Sequence, residues 1–358
     1  MFELKPDFEK VLERYEAWWH CEIVDRPLFC LNYLKDYDDH VPWPAPKNYT
    51  AIKDRWLDAE HIAENMDATL RNVVFFGDAL PITWPNLGPE IFSAFYGCPL
   101  SFGESTSWTE PILADWHPES VTELKLSRSN YYFQQLEKLT DALLEKGREK
   151  FIVGYTDMHG GGDAVAAFRD PSTLCMDLID YPQEVKALLH RITTEFLELY
   201  DYFHQKLSAA GMPSTTWLGA TCHGKYHVPS EDFSALVSDN MFNEFFLDEI
   251  VRECQHMDKN IYHLDGPGAL RYLDLLLEIP EIHAIQWVAG ASRDYWMDWI
   301  EVYQRIQKAG KGFWIEIDIG DLNTFMDTFP PKGVWLNISN VGDKDSANAV
   351  MKAVEKWR

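Results

Sequence analysis

Positive charge is what this chain has least of. Its 358 residues carry 32 Lys and Arg against 57 Asp and Glu, a formal net charge of −25. That balance disfavours a nucleic-acid or anionic-membrane surface. It also weighs against a strongly anionic substrate, unless a local basic pocket overrides the field. Long hydrophobic runs are missing too, since no stretch approaches the roughly 20 apolar residues that span a bilayer. The opening Met1-Phe-Glu-Leu-Lys-Pro-Asp-Phe-Glu9 is charged, unlike a secretory signal. Cysteines are few and scattered. Cys21, Cys30, Cys98, Cys175, Cys222 and Cys254 form no CxxC pair, so the expected setting is reduced and cytoplasmic, without a disulfide scaffold. No GxSxG elbow, P-loop or GxGxxG fingerprint is present, which removes the nucleophile-elbow, phosphate-loop and dinucleotide readings.

Apolar and aromatic residues are plentiful. Hydrophobic residues make up 46% of the chain, enough for a large core and incompatible with disorder. Aromatics reach 14%, with 14 Trp, which serve core packing or the lining of a pocket for a flat or sugar-like ligand. Lys5 to His20 places Phe8, Val11, Leu12, Tyr15 and Trp18/Trp19 at helical spacing, so residues 1–26 read as an N-terminal helical cap. The paired Trp18-Trp19 read as packing. Strands are expected at 27–33 and 72–76, a polar loop at 35–50 and a helix at 56–71. Residues 79–119 hold Pro81, Pro85, Pro89, Pro99 and Pro111 with Trp84, Trp108 and Trp116, and read as an ordered lobe over a site. From Tyr131 onward strands alternate with helices near 131–149, 183–209, 236–259, 268–278, 295–309 and 344–357. With no repeat and no low-complexity linker, one domain over 1–358 is expected.

The strands end alike. Asn260-Ile-Tyr-His-Leu-Asp-Gly266 delivers His263 and Asp265, and Phe151-Ile-Val-Gly-Tyr-Thr156 leads to Asp157 and His159. Ser214-Thr-Thr-Trp-Leu-Gly219 leads to Cys222 and His223, and His283-Ala-Ile-Gln-Trp-Val288 to a glycine turn. Phe313-Trp-Ile-Glu-Ile-Asp318 carries Glu316 and Asp318, and Val334-Trp-Leu-Asn-Ile338 carries Asn337. Apolar strands with polar, metal-competent C-terminal ends, each followed by a helix, are the pattern of an α/β enzyme built as a (β/α)8 TIM-type barrel.

His263 and Asp265 stand two apart on a strand and share a face, as metal ligands or acid/base groups, or as a structural His–Asp pair. Glu316 and Asp318 repeat that spacing, with an ion pair to Arg293 or Lys311 as the bland alternative. Asp157 and His159 precede Gly160-Gly-Gly-Asp163, where glycine permits close backbone approach and a helix N-terminus suits an anion. Asp163 reads as the cap of that helix. Cys222, His263 and Glu316 together would form a zinc-type set with an open position, against the commoner fate of a buried free thiol. Trp84, Asn86, His223, Tyr226, Gln286, Trp287, Asp318 and Asn337 are the expected substrate contacts around such a mouth.

Four groups of residues, in this order, resemble the uroporphyrinogen decarboxylase superfamily. They are Asp25-Arg-Pro27-Leu28; Gly160-Gly-Gly-Asp-Ala164 with Arg169-Asp-Pro-Ser-Thr-Leu174 and Asp180-Tyr-Pro-Gln-Glu-Val185; Ser230-Glu-Asp-Phe233 through Asp248; and Ile261-Tyr-His-Leu-Asp-Gly266. The resemblance implies a (β/α)8 barrel with its active site at the C-terminal mouth. True decarboxylases of the superfamily carry an arginine-bearing RQAGRY-like motif for their substrate's carboxylates. Pro27-Leu-Phe-Cys-Leu-Asn-Tyr-Leu-Lys35 has no arginine pair, which points away from a polycarboxylate. The other branch comprises zinc-dependent methyltransferases that exchange methyl groups with a corrinoid protein, with a His-x-Cys-Gly strand motif and a further C-terminal cysteine. His263 matches the histidine, Asp265 stands in the cysteine's place, and Val334 to Asn340 holds no cysteine. The resemblance therefore implies a harder N/O metal site and an O- or N-methyl substrate.

The resulting expectation is a cytoplasmic methyltransferase-like enzyme acting on a small methylated compound. Zn2+ would sit at His263, Glu316 and Cys222, with a corrinoid carried by a partner protein. His263, Asp265, Asp157, His159 and Glu316 would be its catalytic residues, and a homodimer is common in the superfamily. Three alternatives stand beside it. One is a decarboxylase of a porphyrinogen or smaller acid, using Arg169, Arg271 or Arg293. Another is a carboxylate-pair hydrolase of a sugar, over a floor of Trp84, Trp287 and Trp314. The third is a non-catalytic binding protein.

Overall fold

The computed structural model describes residues 2–290 and 295–357. Arg293 lies outside the described residues. The strands are β1 (Leu28–Leu34), β2 (Val73–Gly77), β3 (Ile82–Thr83), β4 (Leu100–Phe102), β5 (Ser107–Thr109), β6 (Ile152–Val153), β7 (Tyr226–His227), β8 (Lys259–Asp265), β9 (Ala284–Val288), β10 (Gly312–Asp318) and β11 (Val334–Ser339). Seven of them make one sheet in the order β2-β1-β11-β10-β9-β8-β7, parallel except where β2 pairs antiparallel with β1. The α/β class is therefore as expected, and the expected strand at 72–76 is an antiparallel edge.

Strand patterning decides which side chains face which layer. On β10 the buried residues Phe313, Ile315 and Ile317 alternate with Trp314, Glu316 and Asp318. Phe313 packs its ring on Tyr303 and Phe329, at 4.9 and 5.7 Å between centroids, so that face meets the helices. Register then puts His263, Gln286 and Trp314 side by side on the opposite face, with Glu316 beside Asn337 one layer further along.

The expected closed eight-stranded sheet does not form among the described residues. β3 and β6 make a separate pair of only two registered positions. Residues 214–219 form no strand, only an isolated bridge between Ser214 and Cys222. Backbone bonds outside the regular ladders link these segments: Ile152 N to Pro81 O at 2.9 Å and Gly154 N to Thr83 O at 2.7 Å, and Tyr155 N to Thr215 O at 2.8 Å. The cause is local. Pro81, Pro85 and Pro213 lack ladder donors, and Gly154 and Gly219 weaken extended structure.

The helix Phe8–Trp18 packs across the N-terminal ends of the strands. Trp18 Nε1 donates to Gly333 O at 3.0 Å and Trp19 Nε1 to Thr221 O at 2.9 Å, while Tyr15 and Trp18 set their rings against Trp335. The Trp pair is core, as expected. Residues 79–119 differ from the expected lobe. Phe92, Phe95 and Tyr96 pack on Phe196, Phe133 and Phe168 of the helices Pro182–Ala209, Tyr131–Gly147 and Gly161–Arg169, forming a side wall. The stretch after β3 reaches the strand ends, where Pro89 O accepts from His159 N at 2.9 Å, and Thr109 and Pro111 come in beside His159. Among the described residues no helix is long and apolar enough to cross a membrane.

Candidate functional site

β8 brings His263 and Asp265 to the C-terminal end of the sheet. His263 Nδ1 donates to Gln286 Oε1 at 2.7 Å, because an amide oxygen can only accept. That bond fixes the tautomer and leaves Nε2 with a free lone pair. The Trp217 ring meets the imidazole edge-on at 5.6 Å. Gly266 follows at φ +78°, which turns the chain away at the strand end. Asp265 Oδ1 is buried with no hydrogen-bond partner. The third member is Asp232, from the turn Asp232–Leu236, and donor atoms of Asp232, His263 and Asp265 lie within 4.8 Å of one another.

A second group adjoins it. His159 Nε2 lies 3.8 Å from Asp157 Oδ1, and Nδ1 lies 3.8 Å from Asp163 Oδ2. His159, Asp163 and Asp232 also place donor atoms within 4.8 Å of one another. Burial pulls the His159 pKa down, but Asp157, Asp163, Asp232 and Glu90 outweigh it, and the net direction is up. Burial and the neighbouring Asp232 raise the Asp163 carboxyl, against the pull of His159 and two backbone amides. A cavity of about 390 Å³ opens on this group, lined by Glu90, Thr109, His159, Asp163, Asp232 and Leu236 among others.

Two details of the glycine run differ from expectation. Asp163 does not cap its own helix: it accepts from Phe233 N at 2.7 Å and Asp232 N at 3.1 Å, and so pins the turn that carries Asp232. The helix N-terminus does hold an anion-type group, but it is the protein's own Glu231, whose Oε2 accepts from Gly162 N at 3.0 Å. A Cβ on Gly162 would lie 2.1 Å from Glu231 Oε1, so glycine is required there by close packing. Burial first, and then the Asp163 charge, push the Glu231 carboxyl well above the usual range.

The structure separates other expected site residues. Cys222 and His223 lie at the N-terminal end of the sheet, where His223 N donates to Glu16 Oε1 and Tyr226 packs its ring on Trp19. Cys222 is buried, donates to Gly224 O, and burial pushes its thiol up to about 12. It cannot join His263, because the Ser214–Tyr226 segment folds back to the opposite end. His223 and Tyr226 fail as substrate contacts for the same reason. Neither metal-capable group includes Glu316. Glu316 and Asp318 instead line a cavity of about 310 Å³ with Trp287, Trp296, Trp299 and Trp314. Asp318 is spent locally, accepting from Asn340 Nδ2 and Gly320 N. Trp287 faces the helices, edge-on to Trp299 at 5.0 Å. Trp84 and Asn86 follow β3, and Asn86 Oδ1 accepts from Gly88 N. Asn337 Nδ2 is buried without a partner. Arg169 is bound to Asp177, Leu113 O and Ala114 O, and Arg271 to Asp239 and the Val237 carbonyl.

Asp232, Trp217 and Glu231 were missed by strand-end reasoning because none sits on a regular strand. The one available signal for Asp232 was its place in Ser230-Glu-Asp-Phe233.

No protein-family model matches the chain, and no curated protein matches it. Among solved structures, a methyltransferase from Methanosarcina mazei superposes with a TM-score of 0.59, covering 99% of this chain and 98% of that one at 11% identity. At that identity the likeness shows a shared fold.

Proposed function

We propose that this chain is a methyltransferase-like enzyme of the uroporphyrinogen decarboxylase superfamily, with a distorted (β/α)8 barrel whose active site is the C-terminal mouth. It would take a methyl group from a small O- or N-methylated compound and deliver it to a corrinoid protein. The observation that carries the reading is the convergence of Asp232, His263 and Asp265 at the end of β8. The fold shared with a methyltransferase supports it.

The residues fit a divalent ion. One imidazole and two carboxylates form an N/O set suited to zinc or a similar metal, and the partnerless Asp265 Oδ1 is an orphan that a cation would satisfy. When bound, the ion supplies electrophilic activation of a ligated oxygen or nitrogen, and a partner's corrinoid supplies the methyl acceptor. The chain's own residues do the rest. Gln286 orients His263 through Nδ1. Trp217 walls the imidazole. His159 stands beside this group, its proton affinity raised by the carboxylates around it. Among the described residues, the arginine candidates for a polycarboxylate clamp, Arg169 and Arg271, are committed elsewhere.

The test pairs metal analysis with turnover. Purified wild type, reconstituted with zinc, should hold the metal, and His263→Ala and Asp265→Asn should lose it. Wild type should also methylate cob(I)alamin from a panel of methyl ethers and methylamines, read by the change in cobalamin absorbance. A wild-type protein that takes up no metal at His263 and turns over no member of the panel would sink the reading.

A further inference from the structure

The two metal-capable groups are not independent, since Asp232 belongs to both. We propose that His159, Asp163 and Asp232 form a second divalent-cation site, with the Asp232 carboxylate bridging it to the ion at His263 and Asp265. The mouth would then hold a paired-ion centre, and the His159 ion would face the cavity of about 390 Å³ through which a small oxygen- or nitrogen-donor ligand enters.

Three observations carry this. The first is spacing. Both His159 nitrogens stand 3.8 Å from a carboxylate oxygen, too far for a hydrogen bond. Two ligand atoms on one ion, each about 2.1 Å from it, sit about 3–4 Å apart. The second is charge. Asp157, Asp163, Asp232 and Asp265 gather here, and among the described residues no Lys or Arg forms an ion pair with any of them. Clustered carboxylates without a cation are costly, and a divalent ion offsets the cost. The third is the orphaned Asp265 Oδ1, a buried acceptor in the adjoining group. Asp163 is held by two backbone amides, yet an ionised carboxylate offers about four acceptor sites, so pinning the turn leaves lone pairs free. The same bonds hold Asp232 in place between the two histidines.

Paired ions sharing a carboxylate lie about 3.5–4 Å apart and clamp both oxygens of a bound ligand. This inference rests on the preceding reading only for the neighbouring ion; the His159 ion stands or falls by itself.

Mn2+ is the probe. Metal-free protein is loaded with Mn2+, freed of excess, and assayed by mass spectrometry for stoichiometry and by paramagnetic resonance for coupling. Wild type should hold about two ions per chain and show a spin-coupled signal. His159→Gln should hold about one, with the simple spectrum of an isolated ion, and Asp232→Asn should weaken both. Circular dichroism confirms that each variant is folded, and Asp163 is left intact because it also pins the turn. An ion lost in His159→Gln but unaffected in His263→Gln would uphold this site while overturning the metal reading of His263. A single wild-type ion that His159→Gln retains and His263→Gln loses would overturn this proposal and leave the other standing. No Mn2+ in wild type would overturn both.

Discussion

The two ends of the sheet treat charge differently. At the N-terminal ends, buried Asp78 receives Arg14 at 3.0 Å, Arg26 through both guanidinium nitrogens at 2.5 and 2.9 Å, and the Phe29 amide at 3.1 Å. Arg14 in turn clasps Asp25 with two bonds. Trp18, Trp19 and Trp335 pack beside this knot. At the C-terminal ends, Asp157, Asp163, Asp232 and Asp265 collect around His159 and His263 with no Lys or Arg ion pair among the described residues. A protein that pairs its charges at one end and leaves them short of cations at the other has given the two ends different jobs. The paired end holds the fold together, and the unpaired end is built to receive something.

Substitutions can break that contrast. The largest expected effect is at the paired end: Asp78→Ala strands the buried Arg26 guanidinium, takes one carboxylate from Arg14 and should cost about 3–5 kcal/mol in urea unfolding. Gly162→Ala should cost about 3 kcal/mol, because its Cβ would collide with Glu231, and a crystal structure should show that carboxylate displaced. A smaller effect sharpens the pH side. Hydrogen bonding from Arg14, then from Lys10, holds the Asp25 carboxyl below its ordinary 3.8 despite partial burial. Its contribution is thus complete above the unfolded value and is lost as pH falls toward the folded one. Asp25→Asn should lower stability at neutral pH and flatten its fall below about pH 4, so that variant and wild type converge in acid. At the unpaired end, His263→Gln should change metal-free stability by less than about 1 kcal/mol, since the imidazole is only partly buried. A large loss there would mean the mouth is structural after all. Last, native Cys222 should resist a thiol reagent at neutral pH and react only after unfolding, in keeping with its raised pKa and burial.

Much of the architecture was readable from local pattern. Helical spacing over Lys5–His20 corresponds to Phe8–Trp18, and the helices near 131–149, 183–209 and 344–357 appear as Tyr131–Gly147, Pro182–Ala209 and Lys344–Val354. β8 through β11 appear where their apolar runs place them, and β10 alternates buried with more exposed residues. Those segments are long and regular, so nearest-neighbour chemistry suffices to specify them. The short strands β3 and β6, and the bridge at Ser214, were less legible because proline and glycine leave their pairing to distant partners.

Sequence by itself determined the class of protein: an acidic α/β chain whose strands end in histidine and carboxylate, with His263 and Asp265 forced onto one face by strand geometry. Tertiary structure alone decided which of those groups meet. Cys222 went to the far end because the Ser214–Tyr226 segment reverses direction, and Glu316, on the face of His263 but two strands away, lines a separate aromatic cavity. Asp232 entered the site from the 3-10 turn Asp232–Leu236, held there by Asp163, 69 residues away in sequence. Side-chain period reports only which face a residue takes along its own strand. Which turn folds over that face depends on hydrogen bonds made across the molecule.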